Sequence, residues 1–320
     1  MLQFLFYEEE KNSLPSFKDI NLNEKNCEKT SDFETAKNIL LETNSIRIFV
    51  TDTPSWELLH LAKKNKHTLT ILVTSLPILQ YSTMLKGEED ILLNHVIASY
   101  ISSEWTTQFL KITINKIINN DIFGLEKYLS ENATINKTVV KGSMDRVKHN
   151  EQIKQFASNC HLGSYVSKLI LGISEELLMN AIYDAPIKDG TPLYNHLPRT
   201  TVVQLQPYEY PTLSYGYDGL FFGVSILDPF GTISKQVFFE HIKKSINRSS
   251  NTLISANTTE TKTGGAGLGI LKILHSCHCL ICNVELTKQS EFIALINTKS
   301  LPRDLSKATR SVNFFEKELS

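Results

Sequence analysis

The chain has 320 residues, of which 41% are hydrophobic and 21% are charged, a composition typical of folded globular proteins rather than of disordered chains. Its length favours two domains of ordinary size. The 33 basic and 34 acidic residues give a formal net charge of -1, so the composition offers no polycationic surface for nucleic acid.

The start of the chain, MLQFLFYEEE, turns acidic after a short apolar run, which is the reverse of a secretory signal. No apolar run approaches the roughly 20 residues of a membrane-spanning helix. We therefore expect a cytoplasmic protein that binds neither membranes nor nucleic acid.

Residues 1–118 alternate short β-rich runs with helical segments. The runs are LQFLFY, SIRIFVTD, LTILVTS and NHVIASY, and the helical segments are SDFETAKNILLE, SWELLHLAKKN and SEWTTQFLKITINKII. Strands separated by helices predict a doubly wound α/β domain with a parallel sheet covered on both faces. The polar, Asn-rich residues 119–145 are expected to form a linker with room for a short helix.

Residues 146–300 are expected to form a second domain, followed by a C-terminal tail at residues 301–320. Within it, SYVSKLILGISEELLMNAIYDAP predicts a long amphipathic helix. The segments TTVVQLQPYEY, TLSYGYDG and LFFGVSILD predict antiparallel strands, with YDGL as a turn. After a further helix, SKQVFFEHIKKSI, a Ser/Thr/Asn-rich loop at residues 247–263 leads to a glycine run, a helix and closing strands. This pattern predicts a two-layer α+β sandwich.

Three of the five cysteines lie close together in HSCHCLICNVEL, beside two histidines. Thiolates and imidazoles at short spacing can ligate zinc. A structural zinc site usually joins two ligand clusters, and the sequence has no second cluster. We therefore favour a buried strand whose thiols pack as small apolar groups.

Glu176, Asn180 and Asp184 are spaced four residues apart on the long amphipathic helix, so they are expected to share one face. Carboxylate and amide oxygens are ligands that Mg²⁺ prefers, together with phosphates. A carboxylate near the metal could also take a proton from an attacking hydroxyl or water. On its own, this stripe is more typical of the solvated face of an amphipathic helix.

Three further features favour a nucleotide site. Asp228 ends a β-rich run in VSILDPFG, where a carboxylate can accept a hydrogen bond from the exocyclic amine of a purine. The run TGGAGLG leads into a helix, and its successive N–H groups predict an anion-binding concavity for phosphates. The polar loop between these motifs is the kind of segment that closes as a lid over a nucleotide.

The segments EELLMNAIYDAP, LDPFG and TGGAGLG occur in the order and spacing of the asparagine box and two glycine boxes of the GHKL ATPase superfamily. Residues 146–300 therefore resemble this superfamily, which includes gyrase, heat-shock chaperone ATPases, histidine kinases and anti-sigma-factor serine kinases. The resemblance implies a Bergerat-type ATP-binding fold with ATP and Mg²⁺ as cofactors.

By this resemblance, Glu176 is the catalytic carboxylate, Asn180 is the Mg²⁺ ligand that bridges to the phosphates, and Asp228 reads the adenine. The other expected nucleotide-binding positions are Asp184, Gly231, Gly265, Gly267, Leu268 and Gly269. The first glycine box departs from the family pattern Asp-x-Gly-x-Gly, because Phe230 and Thr232 occupy its glycine positions.

The first domain resembles a response-regulator receiver domain. Glu8 and Glu9 follow the first strand, where that family keeps its Mg²⁺-binding acidic pair, and Asp52 ends the third strand like the phosphoacceptor. Thr74 or Ser75 ends the fourth strand. The loop after Asp52 is short and ASYISSE carries no lysine, so we expect a pseudo-receiver in which Asp52 is not stably phosphorylated. A cap of the next helix explains Asp52 equally well.

A histidine kinase would need a phosphoacceptor histidine on a dimerising helical hairpin. The candidates, His149 and His161, are not followed by an acid, and the connection between the domains is too short for such a hairpin. We therefore expect these histidines to be ordinary helix-surface residues. The Glu-x-x-x-Asn pattern of Glu176 and Asn180 instead resembles the anti-sigma-factor serine kinases.

Together these features indicate a bacterial-type signalling protein in which a receiver-like domain is fused to an ATP-binding domain. The favoured activity is Mg-ATP-dependent transfer of the γ-phosphoryl group to a serine or threonine of a partner protein, or slowly to water, with Glu176 as general base. The alternative is a binding module, in which ATP sets a lid conformation without productive turnover. The expected partner is a signalling protein, such as an anti-anti-sigma-like or response-regulator-like protein.

Overall fold

The computed structural model describes the chain except for residues 1–2, 10–12, 43–44, 79, 82–90, 100–101, 253–266, 301–307 and 318–320. The described chain is mixed α/β and divides into two compact units. Unit 1 comprises residues 1–119 and 309–313, and unit 2 comprises residues 120–308 and 314–320. Among the described helices, none has the length and apolar character needed to cross a membrane.

The described part of unit 1 contains a five-stranded parallel sheet and three α-helices. The strands are β1 (Phe4–Tyr7), β2 (Cys27–Thr30), β3 (Ile48–Thr51), β4 (Leu69–Thr74) and β5 (His95–Ala98). The helices are α1 (Phe33–Glu42), α2 (Trp56–Lys64) and α3 (Ser103–Asn119). The strand order is β2-β1-β3-β4-β5, and each neighbouring pair is parallel. Strands β1, β3 and β5 are buried along their whole length, as expected for a parallel sheet covered on both faces.

A strand from the end of the chain extends this sheet. The C-terminal strand covers Ser311–Glu316, and its early residues pair antiparallel with β5, with Val312 opposite Val96. The Ser311 hydroxyl also accepts a hydrogen bond from the N–H of Ala98 at 2.9 Å. Part of the expected C-terminal tail at residues 301–320 therefore forms a strand.

Unit 2 is built around an antiparallel sheet. Its strands are β6 (Thr134–Val139), β9 (Thr212–Tyr217), β10 (Phe221–Asp228), β11 (Cys279–Glu285) and β12 (Gln289–Asn297), and a separate short hairpin joins β7 (Ile187–Lys188) to β8 (Thr191–Pro192). The order is β11-β12-β10-β9-β6, with antiparallel pairing throughout. The predicted turn before β10 is confirmed, with Gly219 at φ 96°. Strand β11 is completely buried, which confirms the strand interpretation of the cysteine-rich segment.

The described part of unit 2 contains four α-helices. They are α4 (Asp145–Asn159), α5 (Ser164–Met179), α6 (Lys235–Thr252) and α7 (Gly267–Ser276). Helix α5 contacts α4, α7 and strands β10 and β12. Its residues Ile170, Ile173 and Leu177 are completely buried at helical spacing, which confirms the predicted amphipathic helix. Burying each such side chain contributes roughly 1.5–3 kcal/mol to stability.

The expected linker at residues 119–145 contains a strand, β6, in addition to a short helix. A 3₁₀ helix covers Leu125–Tyr128, and β6 pairs antiparallel with β9. Conversely, TTVVQLQPYEY does not form the predicted strand. It contains one isolated bridge, between Gly142 and Gln204, and a 3₁₀ helix at Pro207–Glu209.

Candidate functional site

Unit 2 contains a cavity of about 210 Å³ lined by the end of α5, by α6 and α7, and by strands β10 and β12. Much of its wall is apolar, and the apolar lining residues are Leu177, Ala181, Ala185, Ile226, Ile233, Val237, Ile270 and Phe292. The polar lining residues are Asn180, Asp184, Asp228, Thr232, His241 and Ser290. An apolar pocket with a few convergent polar groups is the usual form of a small-molecule site.

Asp228 is the last residue of β10, and only 4% of it is exposed. The strand register places Ser290 of β12 directly opposite, and its hydroxyl donates to Asp228 Oδ2 at 2.6 Å. The N–H of Phe230 donates to Oδ1 at 3.1 Å. Burial raises the pKa of the Asp228 carboxyl to about 6, although these hydrogen bonds act in the opposite direction. A carboxylate offers about four lone-pair positions, so Asp228 has capacity for a donor from a ligand in the cavity.

The helix that carries the predicted stripe changes geometry where it reaches the cavity. Residues Asn180–Asp184 form a π-helical turn, in which the N–H of Ala185 donates to the carbonyl of Asn180 at 2.9 Å. Single π-helical turns are rare and occur frequently at functional sites. The predicted continuous α-helical stripe is therefore wrong beyond Asn180, although Asn180 and Asp184 both line the cavity.

Asp184 is held by an arginine. Arg199 Nη2 donates to both carboxylate oxygens of Asp184, at 2.6 and 2.8 Å. The guanidinium also lies 5.0 Å from the centre of the Tyr183 ring, a distance that allows a cation–π interaction. A ligand that contacts Asp184 has to displace Arg199 from the carboxylate or bind beside the intact ion pair.

Glu176, the predicted catalytic carboxylate, is also in an ion pair. Lys272 Nζ, on α7, donates to Glu176 Oε1 at 2.6 Å. The side chain of Glu176 is 23% exposed and that of Lys272 is 56% exposed, so the pair lies at the surface of the site. While the ammonium occupies this oxygen, the oxygen is not open to the proton of an attacking hydroxyl.

Gly269 brings the glycine run against the asparagine helix. A Cβ atom at Gly269 would lie 3.0 Å from Glu176 Oε2 and 3.3 Å from Asn180 Oδ1. A side chain here would push into both groups, so glycine permits the close approach. Two segments that are almost a hundred residues apart in the sequence thus meet at the positions predicted to bind phosphate and Mg²⁺.

The rest of the glycine run is described only in part. Gly267 and Leu268 form the start of α7, whereas Gly265 lies outside the described residues. The predicted lid at residues 247–263 is also changed at its beginning, because α6 continues to Thr252. Its remaining residues lie outside the described part of the chain.

Gly231, a predicted nucleotide-binding position, approaches the backbone of a neighbouring turn. Its φ is 60°, and a Cβ atom there would lie 2.2 Å from the carbonyl oxygen of Glu285 and 2.8 Å from the N–H nitrogen of Gln289. The DPFG turn therefore packs directly against the turn between β11 and β12. Gly231 is not among the residues that line the cavity.

In unit 1, the Asp52 carboxylate is surrounded by donors. It accepts hydrogen bonds from the N–H of Glu9 and the hydroxyl of Thr53, each at 2.9 Å, and from the hydroxyl of Ser13. The predicted helix cap is wrong, because the N-cap of α2 is Ser55, whose hydroxyl accepts from the helix. A cavity of about 300 Å³ beside Asp52 is also lined by the predicted strand-end residues Thr74 and Ser75.

Glu8 and Glu9 differ in their surroundings. Glu8 is buried and forms an ion pair with Lys29 at 3.0 Å, and it also accepts a hydrogen bond from the N–H of Leu14 at 3.2 Å. Glu9 is exposed and lines the cavity beside Asp52. In the described part of the chain, no group of three or more His, Cys, Asp or Glu side chains is arranged to hold a metal ion.

The two histidines considered as phosphoacceptors occupy different environments. His149 is 3% exposed in α4, with Nδ1 3.1 Å from Gln152 Oε1, so the expectation of a surface residue is wrong for it. His161 is exposed with φ 57°, just after the C-cap of α4. This is the left-handed position that commonly ends a helix.

Sequence patterns gave no indication of several residues around the site: Arg199, His241, Lys272 and Ser290. Each reaches its position through tertiary packing, and only strand register could have indicated Ser290. Neither a scan against protein-family models nor a search of curated proteins found a match to this chain.

Proposed function

We propose that unit 2 is an ATP-binding domain of the GHKL type, with a Bergerat-type fold and with ATP and Mg²⁺ as cofactors. The observation that carries this proposal is the buried Asp228 carboxylate on the wall of an apolar cavity that also presents Asn180. The close packing of Gly269 on Asn180 supports it, because the phosphate-binding and metal-binding motifs then adjoin the same cavity.

The residues present fit these cofactors. An adenine ring suits the apolar cavity, and its exocyclic amine can donate to Asp228, whose partners Ser290 and Phe230 hold the carboxylate in place. Guanine carries a carbonyl at that position, which a carboxylate would repel. The side-chain oxygen of Asn180 would be a protein ligand of Mg²⁺, and this ion is usually bound by few protein groups, by phosphates and by water.

Two activities follow from this site. In a serine/threonine kinase of the anti-sigma-factor type, Glu176 would accept the proton of the partner's hydroxyl during phosphoryl transfer. In the alternative, ATP occupancy controls binding of a protein partner without productive turnover. The ion pair between Glu176 and Lys272 favours this ATP-gated module for the conformation described, because it occupies an oxygen of the proposed base.

For unit 1 we propose a receiver-like docking domain of a cytoplasmic signalling protein. The strand order β2-β1-β3-β4-β5 is that of flavodoxin-like doubly wound sheets, which supports the resemblance to receivers. The hydrogen bonds to Asp52 and the neutralisation of Glu8 by Lys29 support a pseudo-receiver without stable phosphorylation. Its proposed partner is another signalling protein of the anti-anti-sigma-like or response-regulator-like kind.

Calorimetric titration of the full chain with Mg-ATP and Mg-GTP tests nucleotide binding. We expect ATP to bind and GTP to bind far more weakly, and Asp228→Asn to lower ATP affinity about ten- to a hundredfold, because the amide presents only one oxygen to the adenine amine. Asp189→Asn, in an exposed turn, is the matched control and should bind ATP like the wild type. Unchanged ATP affinity in Asp228→Asn, or equal binding of GTP, would exclude the proposed site.

A further inference from the structure

Lys272 lies at the junction of the two motifs proposed to contact phosphate and metal. It is one helical turn after Gly269, which packs against Glu176 and Asn180. Its Nζ is 2.6 Å from Glu176 Oε1, and the other oxygen of that carboxylate faces Gly269. One glutamate side chain therefore separates the lysine charge from Gly269, which packs on Asn180.

The ion pair between Lys272 and Glu176 lies at the surface, where Lys272 can exchange Glu176 for another anion. The lysine side chain is 56% exposed, and exposed ion pairs contribute little to stability. A lysine ammonium is a compact charge on a flexible stem with three donors, and lysine is a common phosphate ligand. A Cβ atom at Gly172, one turn before Glu176 on α5, would lie 4.0 Å from Lys272 Cε, so the lysine stem runs beside α5 without crowding it.

We infer that Lys272 binds the terminal phosphate of the nucleotide, and that this exchange releases Glu176 from its ion pair. The inference rests on the proposed function, since it assumes that ATP occupies the cavity beside Asn180. A triphosphate carries more negative charge than one carboxylate, so it can outcompete Glu176 for the ammonium. Nucleotide binding would then free the carboxylate only when the phosphate chain is long enough to reach the lysine.

The test compares ligands that share adenine but differ in phosphate number. Affinities of the full chain for Mg-ATP, Mg-ADP and adenosine are measured by calorimetry in the wild type, in Lys272→Met and in Lys272→Arg. We expect Lys272→Met to weaken ATP about tenfold or more, ADP less, and adenosine not at all, while Lys272→Arg restores most of the ATP affinity. Lys168→Met, an exposed lysine on α5, is the matched control for a lost charge.

A double-mutant cycle tests the exchange itself. Glu176→Gln removes the competitor for Lys272, so it should tighten ATP about two- to fivefold, the amount expected from breaking an exposed ion pair. This gain should disappear in the Lys272→Met background.

The outcomes separate this inference from the proposed function. If the wild type does not bind ATP through Asp228, the proposed function is wrong and the inference falls with it. If ATP binds through Asp228 but Lys272→Met weakens ATP and adenosine equally, or weakens neither, the proposed function stands and the role of Lys272 is wrong. Thermal melting of each variant identifies any loss of ATP binding that reflects unfolding.

Discussion

In the proposed site, binding of adenine at Asp228 should depend on pH, because the carboxyl of Asp228 has a pKa of about 6 in the free protein. Only the ionised group is purely an acceptor for the exocyclic amine. The fraction ionised is nearly complete at pH 8 and falls to about one tenth at pH 5, from the relation between pH and this pKa. The affinity should therefore fall about tenfold between pH 8 and pH 5, equivalent to about 1.4 kcal/mol.

Adenosine is the suitable ligand for this measurement, because the phosphates of ATP titrate in the same pH range. Calorimetry of the wild type from pH 5 to 8 should give a curve with its midpoint near pH 6, whereas Asp228→Asn should bind weakly with a flat profile. A flat wild-type profile, or the same slope in Asp228→Asn, would refute the reasoning. In either case a group other than Asp228 would determine the pH dependence of purine binding.

The raised pKa of Asp228 has a second consequence, for stability. The folded protein holds the proton of Asp228 more tightly than the unfolded chain does, where the pKa is 3.8. The contribution of Asp228 to the free energy of unfolding is therefore fully present below about pH 4 and is lost as the pH rises through about 6. The loss is at most roughly 3 kcal/mol for a shift of about two pKa units. Asp228→Asn should therefore melt at a higher temperature than the wild type at pH 7.5 and at nearly the same temperature at pH 4. A variant that melts lower at pH 7.5 would contradict this account.

Three further predictions concern other parts of the chain. Glu176→Gln should keep ATP affinity within a few-fold of the wild type but lower any phosphoryl transfer to a captured partner about a hundredfold or more; no transfer by the wild type would leave only the ATP-gated module. Gly172→Ala should stabilise unit 2 by up to about 1 kcal/mol in denaturant unfolding, because the new Cβ meets nothing closer than 4.0 Å. Gly231→Ala should destabilise unit 2, because its Cβ would lie 2.2 Å from a carbonyl oxygen. Asp52 should gain no stable phosphoryl group from acetyl phosphate and Mg²⁺ by intact mass spectrometry of the full chain, and a gain that disappears in Asp52→Asn would show a working receiver.

The elements that could be predicted from sequence are those whose signal is local. Strands β3 and β4 are apolar runs, and α5 repeats its buried residues at helical spacing. Strand β2, with the sequence CEKT, and β6, with TINKTV, lie at sheet edges and carry polar side chains, so neither has the alternation that marks a strand. Only pairing with β1 and β9 makes them strands.

The candidate site shows the same limit. Asn180 and Asp228 could be predicted because each belongs to a local motif with a recognisable spacing. The π-helical turn, the Ser290 hydrogen bond and the Lys272 ion pair could not, because each depends on side chains brought together by the fold. Gly231 shows a related limit, because a sequence shows that a glycine is present but not which backbone it approaches.

In the proposed ATP site, the two ion pairs around Asn180 would determine how an anion is received. Glu176 and Asp184 lie on either side of Asn180 in the sequence, and unpaired carboxylates there would repel a triphosphate. Lys272 and Arg199 neutralise them, so the phosphates would meet Asn180 without net opposition from its neighbours. The two ion pairs differ in how firmly they are held. Arg199 contacts both carboxylate oxygens of Asp184 and the ring of Tyr183. Lys272 makes one contact with Glu176 and is more exposed. The firmer pair would thus fix the shape of the site, and the looser one would be the pair that a nucleotide can open.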